Sequence, residues 1–452
     1  MPLSRALSEF VCDLRLGGLD SGVVAQAKTL ILDAIACMIA GADSASADIA
    51  MVGMNQPGSR AAATIAVHGV LADASSAALV NGAMLRSLDL MDFYVSRDVC
   101  HPSEIIPAAF ACAEVGGGSG VDFLEATIAG LALHQALADN IPLHEHNLHH
   151  AGHAAWAVPL VAGRLLTSSA TVTARALTIT AHRLLMPESF ARGQLTNLKA
   201  LAYPLLAREG IEAVRFAQAG LTGRESACED AIELLAGHFG MRIGVSDLTP
   251  KSPIDLSSIT LKMYPAQYAL QPLIATACRA HATGQGAARG IEKVVVHVSR
   301  RTVERTADPA KYTPSGPEAA DHSLPFCLAV ALMDGKLTQA ALHSRRWMER
   351  ETLELMERVV ALPIESTIGY EIGRQEMELR FLDATTVTLS CRYPPDGDTP
   401  RSIAERKLRE ASQGILDADP ILSLVLNLED EPDLRRLSAA LSRRHPRPSP
   451  PR

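Results

Sequence analysis

The sequence predicts a mostly α protein: one large all-helical domain and a smaller α+β domain acting as a lid. Three observations carry that reading. From the N-terminus to about residue 250, apolar residues recur at helical spacing between Gly, Ser and Pro breaks, with no convincing alternating run. Strand texture starts only beyond LTPKSPIDLSSIT (248–260), a stretch with two prolines that reads as a linker. From about residue 405 the helical pattern returns.

The elements follow in order. MPLSRALSEFVCDLRLGG is charged at helical intervals and lacks the apolar core of a secretory signal. VVAQAKTLILDAIACMIAGA is the most apolar stretch, yet Lys28 and Asp33 interrupt it, so it is expected to be a buried core helix rather than a membrane span. ASSAALVNGAML and GHAAWAVPLVAGRLL are alanine-rich, which favours helix and lets helices approach closely. HPSEIIPAAFACAE predicts a helix opened by Pro102, where a missing amide proton costs nothing. Beyond the linker, IEKVVVHVSRRT (291–302) alternates as a strand, and MELRFLDATTVTLSCRY (377–393) reads as a hairpin turning near Asp383 and Ala384. FCLAVALMDGKL and RETLELMERVVAL, between them, read as helical. The division is therefore a helical domain over 1–255, an α+β lid over 256–404, and helices over 405–440 that pack back on the first domain. RRHPRPSPPR places a disordered tail at 441–452.

Composition removes several classes of function. At 452 residues and 48% hydrophobic content the chain can bury a large core. A net charge of −8 gives no footprint for nucleic acid. Eight scattered cysteines without a CxxC pair argue against a zinc ribbon, an iron–sulfur cluster or a disulfide scaffold; they favour a reducing, cytoplasmic compartment.

Four stretches carry candidate chemistry. In LDLMDFYVSRDVCHPSEIIP (88–107), Asp89 and Asp92 stand three apart at the end of an expected helix, on one face, and His101 precedes Pro102 at the start of the next. An acidic pair alone is commonly a solvated helix end; the nearby His101 argues for more. HEHNLHHAGH (144–153) holds five histidines, of which His146 and His150, and His149 and His153, are four apart. It is not HExxH and no cysteine partners it, so a proton-transfer histidine is preferred to a metal site. ESFARGQLTNLKALAYPLLAREG sets Arg192 and Lys199 at the two ends of a polar stretch; a lysine at a helix start calls for a compensating anion, unless it simply reaches water. LKMYPAQYALQPL and DHSLPFCLAVALMDG each join a polar cluster to a helix through proline.

In this order the segments resemble the MmgE/PrpD family, whose members include 2-methylcitrate dehydratase and cis-aconitate decarboxylase. VNGAMLRSLDLMDFY is similar to its asparagine–glycine helix ending in LDxxD, and CHPSEIIPA to its HPSD segment. RGQLTNLKA is similar to its lysine segment, LKMYPAQY to its K-x-(Y/F)-P block, and ADHSLPFCLAVALMDG to its DHSLPY block. The likeness runs to at least residue 400 and is nearest to 2-methylcitrate dehydratase. It implies a site in the cleft between a helical domain and a lid, no metal or organic cofactor, and a homodimer. It places Asp89, His101, His150 and Lys199 at catalytic positions and His322, of its DHS block, at the substrate; Arg192 and Lys262 are expected to clamp substrate carboxylates and Tyr264 to line the substrate site, with Asp92 either at the substrate or supporting the loop. Three departures each remove a polar group: Phe93 for threonine, Ala269 for histidine and Phe326 for tyrosine.

The expected reaction is cofactor-independent dehydration of a citrate-like hydroxy polycarboxylate. His101 and His150 would serve as the acid–base pair, Lys199 as carboxylate or enolate stabiliser, and Asp89 as orienter. Decarboxylation or epimerisation of a related polycarboxylate uses the same carbanion chemistry. A non-catalytic binding paralogue is the alternative that the lost polar groups support.

Overall fold

The computed structural model describes residues 1–54, 62–284, 290–364 and 375–443. Two hydrophobic cores organise it. One gathers side chains from Leu3 to Leu261 and again from Ile403 to Leu441; the other gathers Ala266 to Cys391. The chain thus passes from the first core to the second within the few residues after Leu261, and returns before Ile403.

The first core is helical. Its central helix, Ser21–Gly41, is the apolar stretch noted above; it is buried along most of its length, and Asp33 forms a buried ion pair with Lys407 of helix Pro400–Ser412 at 2.5 Å. That pair ties the returning C-terminal segment to the centre of the first core. Helix Ala74–Arg86 is buried at every position and begins at Asp73, whose carboxylate accepts from the Ser75 and Ser76 amides. Inside it, Asn81 donates to the Thr64 carbonyl and accepts from the Ala66 amide. Gly82 lies against Pro204, where a Cβ would come within 2.9 Å. The asparagine–glycine pair therefore lets this helix pack closely on helix Leu198–Gln218, which carries Lys199 at its start.

The second core lies around a four-stranded sheet. Strand Ile291–Ser299 runs parallel to Val359–Ile364 on one side and antiparallel to Gln375–Phe381 on the other, and Thr386–Cys391 completes the sheet. The hairpin turns where expected: Ala384 is left-handed (φ 65°), and the Asp383 carboxylate accepts from the Thr385 amide. Helices Gln271–Ala282 and Leu324–Asp334 pack into the same core.

Four sequence expectations need correction. Val359–Ile364, read as the tail of a helix, is an edge strand after the short helix Arg350–Met356. A brief apolar run fits either structure, and Pro363 is tolerated because the strand lies at the sheet edge. The 291–302 strand stops at Ser299, whose hydroxyl caps helix Arg300–Thr306. The helical region also contains two small ribbons, Ala63–Ile65 with Val70–Ala72 and Tyr94–Val95 with Val99–Cys100, too short to show alternation. Finally, Leu441 is buried and Ser442 bridges Val67, so the chain is ordered through 443; residues 444–452 of the expected tail lie outside the described residues.

Candidate active site

The site begins where helix Ala74–Arg86 ends. Asp89 lies beyond it with left-handed backbone (φ 49°), so Asp89 and Asp92 do not share the helical face that their spacing predicts. Aspartate tolerates that conformation better than most residues, and the turn aims its carboxylate inward. There it lies 3.0 Å from Lys262 Nζ, 3.8 Å from Lys199 Nζ, 3.8 Å from His322 Nδ1 and 4.0 Å from Arg86. Burial alone would raise its pKa, but Lys199, Lys262, His322 and Arg86 outweigh burial and hold it well below the usual carboxylate range. Asp89 is the anion on which the site's cations converge.

The compensating anion expected for Lys199 is Asp321. Its oxygens lie 2.9 and 3.0 Å from Lys199 Nζ, and the preceding block of the second core also brings His322 Nδ1 to 3.3 Å. Lys262 is fully buried and donates to the Asp89 backbone carbonyl as well as its carboxylate. Burial lowers its pKa, and Asp89 opposes that shift. Lys199 from the first core meets Asp321 and His322 from the second, so the charge cluster forms across the junction of the two.

His101 sits before the 3-10 turn Pro102–Ile105, which precedes helix Ile106–Gly116. Its Nδ1 lies 2.6 Å from the Asp92 carbonyl oxygen. A carbonyl only accepts, so Nδ1 carries the proton and Nε2 keeps its lone pair for the cleft. Burial, then Lys262 and Arg86, push the His101 pKa well below 6.5 and keep it neutral. Asp92, expected either at the substrate or as a support of the loop, takes the second place: its carboxylate accepts from the Ser103 hydroxyl at 2.5 Å and the Ser103 amide at 3.1 Å. It holds the turn that presents His101.

The histidine-rich segment departs from helical spacing. Asn147 is left-handed (φ 62°) between two 3-10 turns, Leu143–His146 and His150–His153, so residues four apart do not stack. His146 packs outside against Phe239, and His153 is buried behind the site beside His134. His144, His149 and His150 come together instead. The His144 Nδ1 hydrogen-bonds the buried Asp98 carboxylate, and its Nε2 lies 3.4 Å from His150 Nδ1. His150 stands edge-on to His101 with ring centres 5.1 Å apart.

These groups line a narrow cleft. Asp89, His101, His150, Lys199, Lys262 and His322 all border it. Arg192 does not; it is half exposed and bonds Glu188 and Asn147. Tyr264 does not either, for it packs against the second core. Sequence reasoning missed Arg86, Gln267, Tyr268 and Arg305, which complete the wall. Arg86 stood three residues before Asp89 in an apolar helix, which was the available signal; Arg305 and Tyr268 had none of comparable strength. Arginine and lysine side chains outnumber the single carboxylate on the lining, which suits an anionic ligand.

Comparison with known proteins agrees with the motif order. A model of the MmgE/PrpD N-terminal domain matches residues 5–242, and one of the MmgE/PrpD C-terminal domain matches residues 264–430. The chain belongs to the MmgE/PrpD family. This family includes dehydratases and decarboxylases that act on carboxylic acids. A cis-aconitate decarboxylase-like protein, oryM of Aspergillus oryzae, is 27% identical over 135 residues. That match spans 28% of this chain and 28% of the relative's length.

Against the MmgE/PrpD pattern, the three departures fall in different places. Phe326 is buried in the second core, edge-on to Trp347 at 5.9 Å, so the missing hydroxyl is absorbed by packing. Phe93 lies behind the cleft wall against Tyr268, ring centres 5.6 Å apart. Ala269 is buried, and its carbonyl accepts from Gln375. Among the described residues, two groups have donor atoms close enough to share a metal ion: His144, His149 and His150 on the cleft wall, and Asp89 and His322 of the wall with Asp321. In the second, Lys199 already occupies the space between the carboxylates, which opposes a cation there.

Proposed function

We propose that this MmgE/PrpD chain is a cytoplasmic, homodimeric hydro-lyase that dehydrates a citrate-like hydroxy polycarboxylate, in the manner of 2-methylcitrate dehydratase, without metal or organic cofactor. The observation that carries this reading is the pairing of a neutral imidazole with clustered cations. His101 is held by the Asp92 carbonyl with Nε2 free, in a cleft lined by Lys199 and Lys262.

Dehydration removes a proton beside a carboxyl group and expels hydroxide at the neighbouring carbon. His101 Nε2 takes the proton, and a positioned base of this kind is worth about 10²–10⁴ in rate. Lys199 and Lys262 bind the substrate carboxylate and hold the negative charge that develops on it; Asp321 and Asp89 fix their positions. His150 protonates the departing hydroxide. The 266–391 unit serves as the lid that brings Asp321 and His322 to the site. Decarboxylation is the second reading, favoured by the name of the Aspergillus relative; it would use the same cations to stabilise the same carbanion.

The test is incubation of purified protein with 2-methylcitrate, citrate and smaller hydroxy diacids, following ultraviolet absorbance of an unsaturated product. Absorbance that rises with 2-methylcitrate or a close analogue supports dehydration. Carbon dioxide release from cis-aconitate, with no dehydration of any hydroxy acid, would replace it with decarboxylation.

A further inference from the structure

One side chain on the cleft wall ends in a polar atom that the protein itself leaves idle. Tyr94, Tyr203, Tyr312 and Tyr393 donate their hydroxyls to Asp139, His134, the Val359 carbonyl and the Leu261 carbonyl. Tyr268 lines the cleft, and among the described residues its hydroxyl has no hydrogen-bond partner. A tyrosine O–H away from bulk water usually finds an acceptor, so an idle one on a binding wall points to an acceptor that arrives with the ligand. We infer that Tyr268 is a substrate contact that donates its Oη–H to the hydroxyl that leaves, and so selects a hydroxy acid over the same acid without that hydroxyl.

The turn that carries Tyr268 is held from both sides. Gln271 accepts from the Met263 and Tyr264 amides and donates to the Tyr264 and Ala266 carbonyls. Gln267 donates its amide to the Asp321 carbonyl, and its Oε1 accepts from the Ala269 amide at 2.7 Å. The Tyr268 ring rests on Phe93 at 5.6 Å, and Phe93 is itself fixed by exchanging both backbone hydrogen bonds with Thr260, at 2.8 and 2.9 Å, and by the Tyr393 ring at 6.4 Å. Two of the three departures from the motif pattern thus meet here, Phe93 behind the ring and Ala269 as the next residue. Where those two positions offer no polar group, Tyr268 offers one, on a support rigid enough to keep it in place before the ligand arrives.

The charges that act on the hydroxyl give its direction. They are Arg305, Arg301, Asp98 and Glu188. Arg305 is on the cleft lining, and Asp98 hydrogen-bonds His144, which is also on the lining and lies 3.4 Å from His150. The ring therefore runs from Phe93, behind the wall, to the His144 end of the cleft, where His150 stands. Lys199, Lys262 and Arg86 present fixed positive charge, which matches carboxylates. Among the described residues of the lining, Tyr268 carries the single hydroxyl, and a neutral O–H matches the neutral oxygen of a substrate alcohol. Burial pushes its pKa up to about 12, with Arg305 and Arg301 opposing, so the group keeps its proton and acts as a donor rather than an acid.

The inference rests on the hydroxy-acid reading above, so its test is a binding measurement that needs no turnover. Calorimetric titration of the full chain compares citrate with propane-1,2,3-tricarboxylate, and malate with succinate; each pair differs by one hydroxyl. Wild type is expected to bind the hydroxy acid of at least one pair ~10-fold more tightly than its partner, the order of one hydrogen bond. Y268F deletes one oxygen and keeps the ring on Phe93. In this variant the two members of that pair should bind within about twofold of each other, through loss of affinity for the hydroxy acid and with the affinity for its partner unchanged. The inference is overturned, with the hydroxy-acid reading intact, if folded Y268F keeps the wild-type preference. It is overturned in the same way if wild type binds both members of every pair equally. Absence of binding to all four acids would overturn both.

Discussion

Replacing Asp89 by Asn tests whether this carboxylate is the anchor of the site's cations. Among the described residues, Lys262 has no charged partner within 4 Å other than Asp89, and it is fully buried. D89N therefore leaves a buried ammonium unpaired. Breaking one side of a buried ion pair costs about 3–5 kcal/mol. The first core spans a unit of about 300 residues, for which an unfolding entropy of about 2.1 cal/mol/K per residue turns that cost into a fall in Tm of about 5–8 °C. Differential scanning calorimetry at pH 7 measures it. Because the folded pKa of Asp89 is depressed, its stabilisation is fully present above the ordinary carboxylate range and is lost as pH falls through the folded value. The gap between wild type and D89N should thus stay constant from pH 7 to about pH 4, and close only below that. The double variant D89N/K262M should recover most of the loss, since it removes the stranded charge. A Tm for D89N within 1 °C of wild type at pH 7, or a gap that widens on acidification, would refute the reasoning.

Other outcomes follow from the same geometry. Lys407→Met strands the buried Asp33 carboxylate and is expected to destabilise the first core by about 3–5 kcal/mol, read from denaturant unfolding. Because burial, Lys262 and Arg86 keep His101 neutral well below pH 6.5, kcat/KM should show no acid limb with an apparent pKa of 6.5; the fall should come at lower pH. Prolonged treatment with a chelator should leave turnover unchanged. Added Zn²⁺ should inhibit by engaging His144, His149 and His150, and replacing His149 by Asn should weaken that inhibition.

The site was readable from sequence where chemistry-bearing residues stand at element boundaries. His101 before Pro102, Lys199 at a helix start and His322 before the prolyl helix each break a local expectation, and the fold brings all three into one cleft. Residues whose local setting was already satisfied went unnoticed. Glu104 stands in the turn after His101, and only its depth beside His150 sets it apart. Arg305 lies more than 100 residues from the buried Glu188 with which it pairs, and nothing near either residue announces the contact. Asp92 takes the loop-supporting of its two expected places, and Arg192 stands outside the cleft on Glu188. Spacing measures distance along a helix, but the left-handed Asp89 ends that regularity before Asp92 is reached. The same limit applied to the fold, where the strand Val359–Ile364 was hidden by an apolar run that also suits a helix.

The central claim is that His101 removes a carbon-bound proton from a carboxylate substrate held by Lys199 and Lys262. Proton NMR in deuterated buffer measures this most directly, using wild type, His101→Asn and Lys199→Ala with a panel of hydroxy polycarboxylates. Alkene formation or deuterium entry beside a carboxyl group in wild type, reduced at least ~100-fold in His101→Asn, is the predicted result. Undiminished deuterium entry in folded His101→Asn would contradict it.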